Sequence, residues 1–426
     1  MVTRLSPWRP ARNPALIFLL LSAGQAFCFS LIFTVNMVYQ VTVVGLSPLQ
    51  LVLVGTVLEA TCFLFEVPTG VVADIYSRRL SILIGVALIG CGFTLEGSIP
   101  AFWAVIGAQV LWGIGYTFTS GATEAWITDE IGEEAVGPVF LRGGQMWLIG
   151  GLAGTLLSVA LGLVTIQLPM ILAGIGMFAL AATLYAIMPE RHMHVTPREE
   201  RSTFTHAMSI AREGFQLARN RPVVKVIIVI SLIVGLASEA FDRLNTASVI
   251  DRFGFPTVFG SDSPVLWFGI SGVVSTVLGL AASEIFKRKN PESLGAGVPA
   301  RLLAITAAIQ VGAIVAFALS GNLWLAFGML WLRSVLGAIS GPVEAAWLNR
   351  NLESSSRATV ISMVGQANAI GQVGGGPALG WVGSTVSVRA ALLGSALVLS
   401  PTIALYRRLI VRDRGAVEEV TPALAE

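Results

Sequence analysis

Glu59 and Glu66 stand seven residues apart inside one apolar run, which on a helix is two turns along a single face. A carboxylate at that depth costs about 2.5–3.5 kcal/mol on insertion scales, so it faces a cavity, a partner or a proton. For Glu59, near the middle of the run, the chemistry offered is reversible protonation; the bland alternative is a polar contact that fixes packing. Glu66 lies closer to the run's end, where a packing or latch role is expected. Arg333 is the one arginine or lysine near the middle of any apolar run. It suits an anionic group or a buried carboxylate, and Glu59 is a candidate partner. Glu239, Asp242 and Arg243 come near the end of another run, as an outer gate or simply a solvated helix end. Glu124, Asp129 and Glu344 lie near run ends. Gln25, Asn36, Tyr39, Gln145 and Gln366 are polar residues in apolar surroundings, able to line a cavity or to serve as satisfied packing.

Other chemistries find less support. His192 and His194 share a polar loop without further ligands, so no metal is expected. The pattern GxxxxGK[ST] is missing, which argues against ATP hydrolysis. No Ser/His or His/Asp grouping marks a catalytic centre, and no cofactor, enzyme activity or nucleic-acid partner is expected.

These residues must be positioned by membrane-crossing helices. The chain is 54% hydrophobic and 12% charged, about half the charge of a soluble domain. Its mean hydropathy is +0.77. Apolar runs of about 20 residues, long enough to cross a bilayer, recur along it. Twelve spans are expected, at 14–38, 49–72, 80–98, 101–127, 140–163, 169–189, 223–248, 264–286, 300–319, 322–348, 359–382 and 388–406. Residues 1–189 form one six-helix half and 222–406 the other. Between them, 190–221 forms a polar loop with an amphipathic helix from about Ser202, and 407–426 is a polar tail. The first run exceeds a signal-peptide core and ends at no small-residue cleavage site, so it is expected to remain as a span. Cys28, Cys62 and Cys91 all lie in apolar runs and imply no disulfide framework.

Loop charge sets the orientation. With a cytoplasmic N-terminus, one side collects Arg4, Arg9, Arg12, Arg78, Arg79, Arg142, the 190–225 cluster, Lys287 to Lys289, Arg301, Arg350, Arg357 and Arg407 to Arg414. The other holds Arg243, Arg252 and Arg389. Both termini are expected to be cytoplasmic, in a bacterial inner membrane.

The halves repeat. Trp126 and Trp347 differ by 347 − 126 = 221, and the same offset places Gly144-Gln145 on Gly365-Gln366, Gly150 on Gly371 and Gly154 on Gly375. Glu124 and Glu344 precede the two tryptophans as repeat-related acids. Between the second and third runs, Phe65 to Arg79 carries a carboxylate, leaves through Pro68 and ends in a charged turn. There Gly70 permits close helix approach. Glu284, Arg288 and Lys289 echo that turn after span eight.

With Gly70, Asp74, Arg78 and Arg79 at these spacings, the chain resembles a major facilitator superfamily transporter over its whole length. The family's motif is glycine, three residues, aspartate, a basic residue, any residue, glycine and two basic residues; Ile75 and Ser77 depart from it. The family's span-four arginine, followed by glycine four residues on, is replaced by Gln109 with Gly113, and its spacing reappears in Arg333 with Gly337. Its antiporter motif is partial in span five, as Gly150, Gly151 and Gly154 without proline, while Gly376-Pro377-Ala378-Leu379-Gly380 occurs in span eleven.

The resemblance implies an all-α polytopic membrane protein with twelve transmembrane helices in two pseudo-symmetric six-helix halves. It implies secondary active transport of a small-molecule substrate by alternating access, with H+ the expected coupling ion at Glu59 and a monomer as the working unit. Gly70, Asp74, Arg78, Arg79, Glu124, Asp129 and Glu344 would form a cytoplasmic gate. Efflux of small lipophilic compounds as an antiporter is the leading expectation. The alternative is a narrow-specificity permease for a small metabolite, an anionic one being suited to Arg333.

Overall fold

A computed structural model describes residues 13–193, 222–288, 298–351 and 354–420. These are almost wholly helical; the one β pairing among them is an isolated bridge between Val258 and Ser261. Ten helical segments have the length and apolarity to cross a membrane. Phe102–Thr119 with Ala122–Ile131, and Ser354–Thr385, complete twelve spans. The amphipathic helix expected from Ser202 lies outside the described residues.

Several expectations need correction. Span one is two helices, Pro14–Phe33 and Asn36–Thr42. Span four breaks at Ser120-Gly121, where Gly121 takes φ 71°, a left-handed conformation that glycine adopts without steric cost. Span two does not leave through Pro68: Pro48–Ile75 is one helix with the proline inside it. Proline removes the backbone donor that the Leu64 carbonyl would otherwise accept, and the Thr69 hydroxyl donates to the next carbonyl, that of Phe65, at 2.8 Å. Span seven continues to Arg252, so Glu239, Asp242 and Arg243 lie inside the helix rather than at a solvated end. The last helix, Pro401–Val420, runs well into the expected tail.

Within each half, span five lies along span one, and span eleven along span seven. The repeat glycines make both crossings. A Cβ on Gly150 or Gly154 would strike the Ala23 or Phe27 carbonyl, and one on Gly371 or Gly375 would strike the backbone at Leu232 or Leu236. Small residues of this kind let helices approach closely where lipid offers no hydrophobic drive. Serines tie the same pairs together. Ser158 donates to the Leu31 carbonyl at 2.6 Å and Ser231 to the Val364 carbonyl at 2.7 Å. Each such bond contributes about 0.6 kcal/mol in a membrane.

Among the described residues the main contacts between the halves lie at one face. Spans two and eleven meet through Val52, which packs on Gly376 and Gly380, and through Pro48 on Gly383. The Leu49 amide donates to Ser384 Oγ across this seam at 2.8 Å. Spans five and eight meet at the same end through Val159 on Gly269 and Gly162 on Val265. A shared core of Leu46, Leu51, Val52 and Val54 with Phe241, Leu244, Phe317 and Phe327 closes this face. At the opposite face, which bears Pro14, the 75–78 turn and Pro189, the pattern reverses. A Cβ at Gly70, Gly137, Gly144, Gly337, Gly341 or Gly365 would meet nothing within 4 Å. The molecule is closed at one face and open at the terminal face. Gly70 therefore makes no close helix approach in this state.

Candidate functional site

Where the halves converge, above the open space, span two presents a notch at Gly55. Glu239 and Arg243 of span seven fill it: their side chains occupy the space a Cβ on Gly55 would need, with Arg243 Nη2 at 2.7 Å from that position. The two are paired, Arg243 Nε to Glu239 Oε1, at 2.9 Å. Glu59 follows Gly55 by one turn on the same helix face, half-buried and within electrostatic reach of both. Glu59 thus faces span seven, not Arg333.

Arg333 in span ten takes a different partner. Its Nη2 lies 3.9 Å from Asp242 Oδ1, and its guanidinium stands 4.0 Å from the centroid of the Phe241 ring. Its Nη1 is buried with no hydrogen-bond partner. Asp242 is 62% exposed although it sits inside span seven, so it opens onto the space between the halves. Glu239 by contrast is buried.

One carboxylate that sequence reasoning passed over completes the constellation. Glu96 of span three is buried, and both its oxygens are held. Gln40 of span one donates to Oε1 at 2.8 Å and Gln109 of span four to Oε2 at 3.1 Å. The signal available was three polar residues in three different apolar runs, but nothing in the sequence said that they converge. Arg243 reaches Glu96 electrostatically from the other half. Four carboxylates, Glu59, Glu96, Glu239 and Asp242, therefore stand around two guanidiniums, Arg243 and Arg333.

Beneath Glu96 and Gln109 lies an aromatic wall. Phe93, three residues before Glu96, and Trp112, three residues after Gln109, meet Phe29 and Phe33 of span one, and Phe29 meets Trp147 of span five. Centroid separations run from 5.1 Å for Phe33 with Trp112 to 6.3 Å for Phe33 with Phe93. Phe33 also borders a cavity of about 260 Å³ lined by Thr34, Met37, Thr155, Thr246 and Phe268. A second cavity of about 410 Å³ lies in the other half, between Ser231, Gly341, Glu344 and Asn368.

The remaining expected site residues divide by location. Asn36 and Tyr39 are buried in the short second helix of span one. Asn36 Oδ1 accepts from the Met37 amide at 2.8 Å, and the Tyr39 hydroxyl has no partner. Gln145 and Glu66 are exposed toward the open end, and Gln366 is half-buried. Glu124 is exposed, whereas Glu344 is half-buried and lines a cavity. They are not equivalent: 344 − 124 = 220, one residue out of the 221 register, which rotates one of them about 100° on its helix.

The charged turn binds within its own half. Arg78 pairs with Asp129 and donates to the Ala125 carbonyl at 3.0 Å. Arg79 donates to the Tyr185 carbonyl at 2.7 Å. Glu190 accepts from Ser77 Oγ at 2.6 Å and from the Arg79 amide at 3.0 Å. Asp74 is half-buried and pairs with no charge among the described residues. No charged latch joins the halves at this face among the described residues.

Known proteins share this architecture. The family model of the Major Facilitator Superfamily matches residues 15–336. An uncharacterized MFS-type transporter, YxaM of Bacillus subtilis (strain 168), is 22% identical over 362 residues, covering 84% of this chain and 86% of its own. A variant of the nucleoside transporter NupG superposes with a TM-score of 0.73 at 14% identity, over 93% of this chain and 100% of its own. A POT family transporter in complex with a thioalcohol-conjugated peptide gives 0.72 at 13% identity, over 93% and 95%. A bacterial homologue of the human lysosomal transporter Spinster, inward-facing and unoccupied, gives 0.71 at 15% identity, over 94% and 97%. With the family model spanning most of the chain and the helices arranged as in these transporters, this protein belongs to the Major Facilitator Superfamily.

Proposed function

We propose that the chain is a proton-coupled secondary transporter that works by alternating access and exports small lipophilic compounds as an antiporter. The observation that carries this reading is the charge imbalance where the halves meet. Four carboxylates face two guanidiniums, so full ionisation would leave two uncompensated negative charges at a depth where they are costly. Taking up protons, or a substrate's charge, relieves that cost. Glu59 is the proton carrier in this reading, because it borders both the inter-half contact and the open space. The aromatic wall beneath Glu96 supplies an apolar surface for a lipophilic substrate.

In this reading the terminal face, where the basic residues collect, is cytoplasmic, in a bacterial inner membrane, with a monomer as the working unit. The halves are residues 1–189 and 222–406, linked by 190–221, with 407–426 as a cytoplasmic tail. The open end is then the cytoplasmic mouth, with Glu66, Gln145 and Gln366 along the pathway. In the opposite state Gly70, Asp74 and Glu344 close that mouth together with Arg78, Arg79, Glu124 and Asp129. Glu239 and Asp242 act at the outer closure.

Proteoliposomes under an imposed pH gradient provide the test. Glu59→Gln should abolish gradient-driven flux while leaving ligand binding intact; undiminished gradient-driven flux removes Glu59 from the coupling role. One observation favours a second reading, a narrow-specificity permease. The unpartnered Nη1 of Arg333 offers a donor to an anionic substrate group. Thermal stabilisation by a chemically mixed library separates the two readings. Hits among unrelated lipophilic compounds support export, and one cluster of related anions lost in Arg333→Gln supports the permease.

A further inference from the structure

We propose that Glu96 is a second proton-binding site, whose ionised form holds the closed face shut through Arg243. The inference rests on the alternating-access reading, but its test requires neither substrate nor flux.

The pocket around Glu96 is built to accept either protonation state. With the carboxylate ionised, Gln40 and Gln109 each donate an Nε2 hydrogen to one of its oxygens. On the far side of both amides, Gln40 Oε1 and Gln109 Oε1 are buried and lack any donor. Buried polar oxygens are normally paired, and two orphans around one carboxyl call for a reason. A protonated Glu96 provides one. Rotating either amide by half a turn brings its oxygen to the new carboxyl O–H, and the other amide continues to donate. The Tyr39 hydroxyl, also fully buried, unpartnered and within electrostatic reach of Glu96, offers one more acceptor or donor. The process is the binding of one proton by one carboxylate oxygen, with amide rotation and no other chemistry.

The groups around Glu96 decide what its charge does. Span one contributes Tyr39 and Gln40, and span four contributes Gln109. Span six packs its Met170 and Ile171 against the neighbouring Gly97 and adds no charge there. Span seven, which carries Arg243, packs across the seam against the short helix Asn36–Thr42 that bears Gln40, and Arg243 is the cation among the described residues that acts on Glu96. Arg243 is fixed by Glu239 in the notch at Gly55, next to the Val52 contact with Gly376 and Gly380. Ionised Glu96 therefore draws span seven toward spans one and three at the closed face. A proton on Glu96 cancels that attraction while the carboxyl keeps a hydrogen bond to each amide. The glutamate thereby links proton occupancy to the separation of the halves, at a point distinct from Glu59.

Labelling of a buried seam residue reads this directly. Val52→Cys, in a background with Cys28, Cys62 and Cys91 replaced, places a thiol that is covered when the face is closed. Purified protein in detergent is treated with a maleimide across a pH series. At each pH its rate is divided by that of the same protein carrying Glu96→Gln, which cancels the thiol's own ionisation. The Glu96→Gln protein should label several-fold faster at alkaline pH, and the two rates should converge in acid. Equal rates at every pH, or a constant ratio, overturn the proposal. If Glu96→Gln does not fold, Gln109→Leu serves instead. It removes one donor from the carboxylate and should move the pH at which the seam loosens upward; an unmoved midpoint overturns the proposal equally.

Discussion

The closed face and the terminal face use opposite materials. At the closed face the halves meet through glycines, Val52, Pro48 and one backbone-to-serine hydrogen bond, over a shared aliphatic and aromatic core. At the terminal face the conspicuous contacts are charged, and each stays within a half: Arg78 with Asp129, Arg79 with Tyr185, and Glu284 with Arg288. Charges deployed in this way stiffen a rigid body. Small residues deployed across a seam let two rigid bodies meet and part. The charged turn that dominates the sequence is therefore, in this state, a clasp inside one half.

The comparison can be broken most sharply at Gly55. Gly55→Leu should expel the Glu239–Arg243 pair from its notch, cost the closed face about 1–3 kcal/mol of packing and abolish transport. Retained flux in liposomes would show that the notch is dispensable. Next comes Arg78→Ala. The Arg78 and Asp129 side chains are only 12% and 16% exposed, so removing Arg78 breaks a largely buried ion pair. A loss of about 3 kcal/mol is expected, seen as a lower melting temperature, with labelling at Val52→Cys unchanged; a change there would tie the clasp to the seam. Ser384→Ala should cost only about 0.6 kcal/mol yet raise Val52→Cys labelling, since its bond crosses the seam. The smallest effect on stability belongs to Asp74→Asn. Melting should move by less than about 0.5 kcal/mol equivalent, while transport falls if Asp74 acts in the opposite state.

The fold was largely legible because its signals are local. Apolar run length marked the spans, and the 221-residue offset marked four glycines that turn out to form the same helix crossing in each half. The site was only half legible. Glu59 could be picked out because it interrupts an apolar run near its middle. Glu96 was missed because Gly97, Ser98 and Pro100 follow it and make it look like a span end; its burial depends on Gln40 and Gln109 arriving from other helices. The same blindness to partners assigned Arg333 to Glu59 when Asp242 is nearer. It also placed Glu239 at a helix end that continues to Arg252. Pro68 misled for a different reason: a proline is tolerated inside a membrane-spanning helix, and Pro48–Ile75 runs through it unbroken.

The ring cluster under Glu96 has a practical consequence. Trp112 is one of ten tryptophans. It touches Phe29, Phe33 and Phe93, and its indole N–H is buried without an acceptor. Its emission colour will follow the polarity of whatever lodges beside it. The spectrum of the parent minus that of Trp112→Phe isolates this one indole from the rest. The protein thus carries an intrinsic optical reporter in the wall of its own cavity, and occupancy can be followed in real time without attaching a dye.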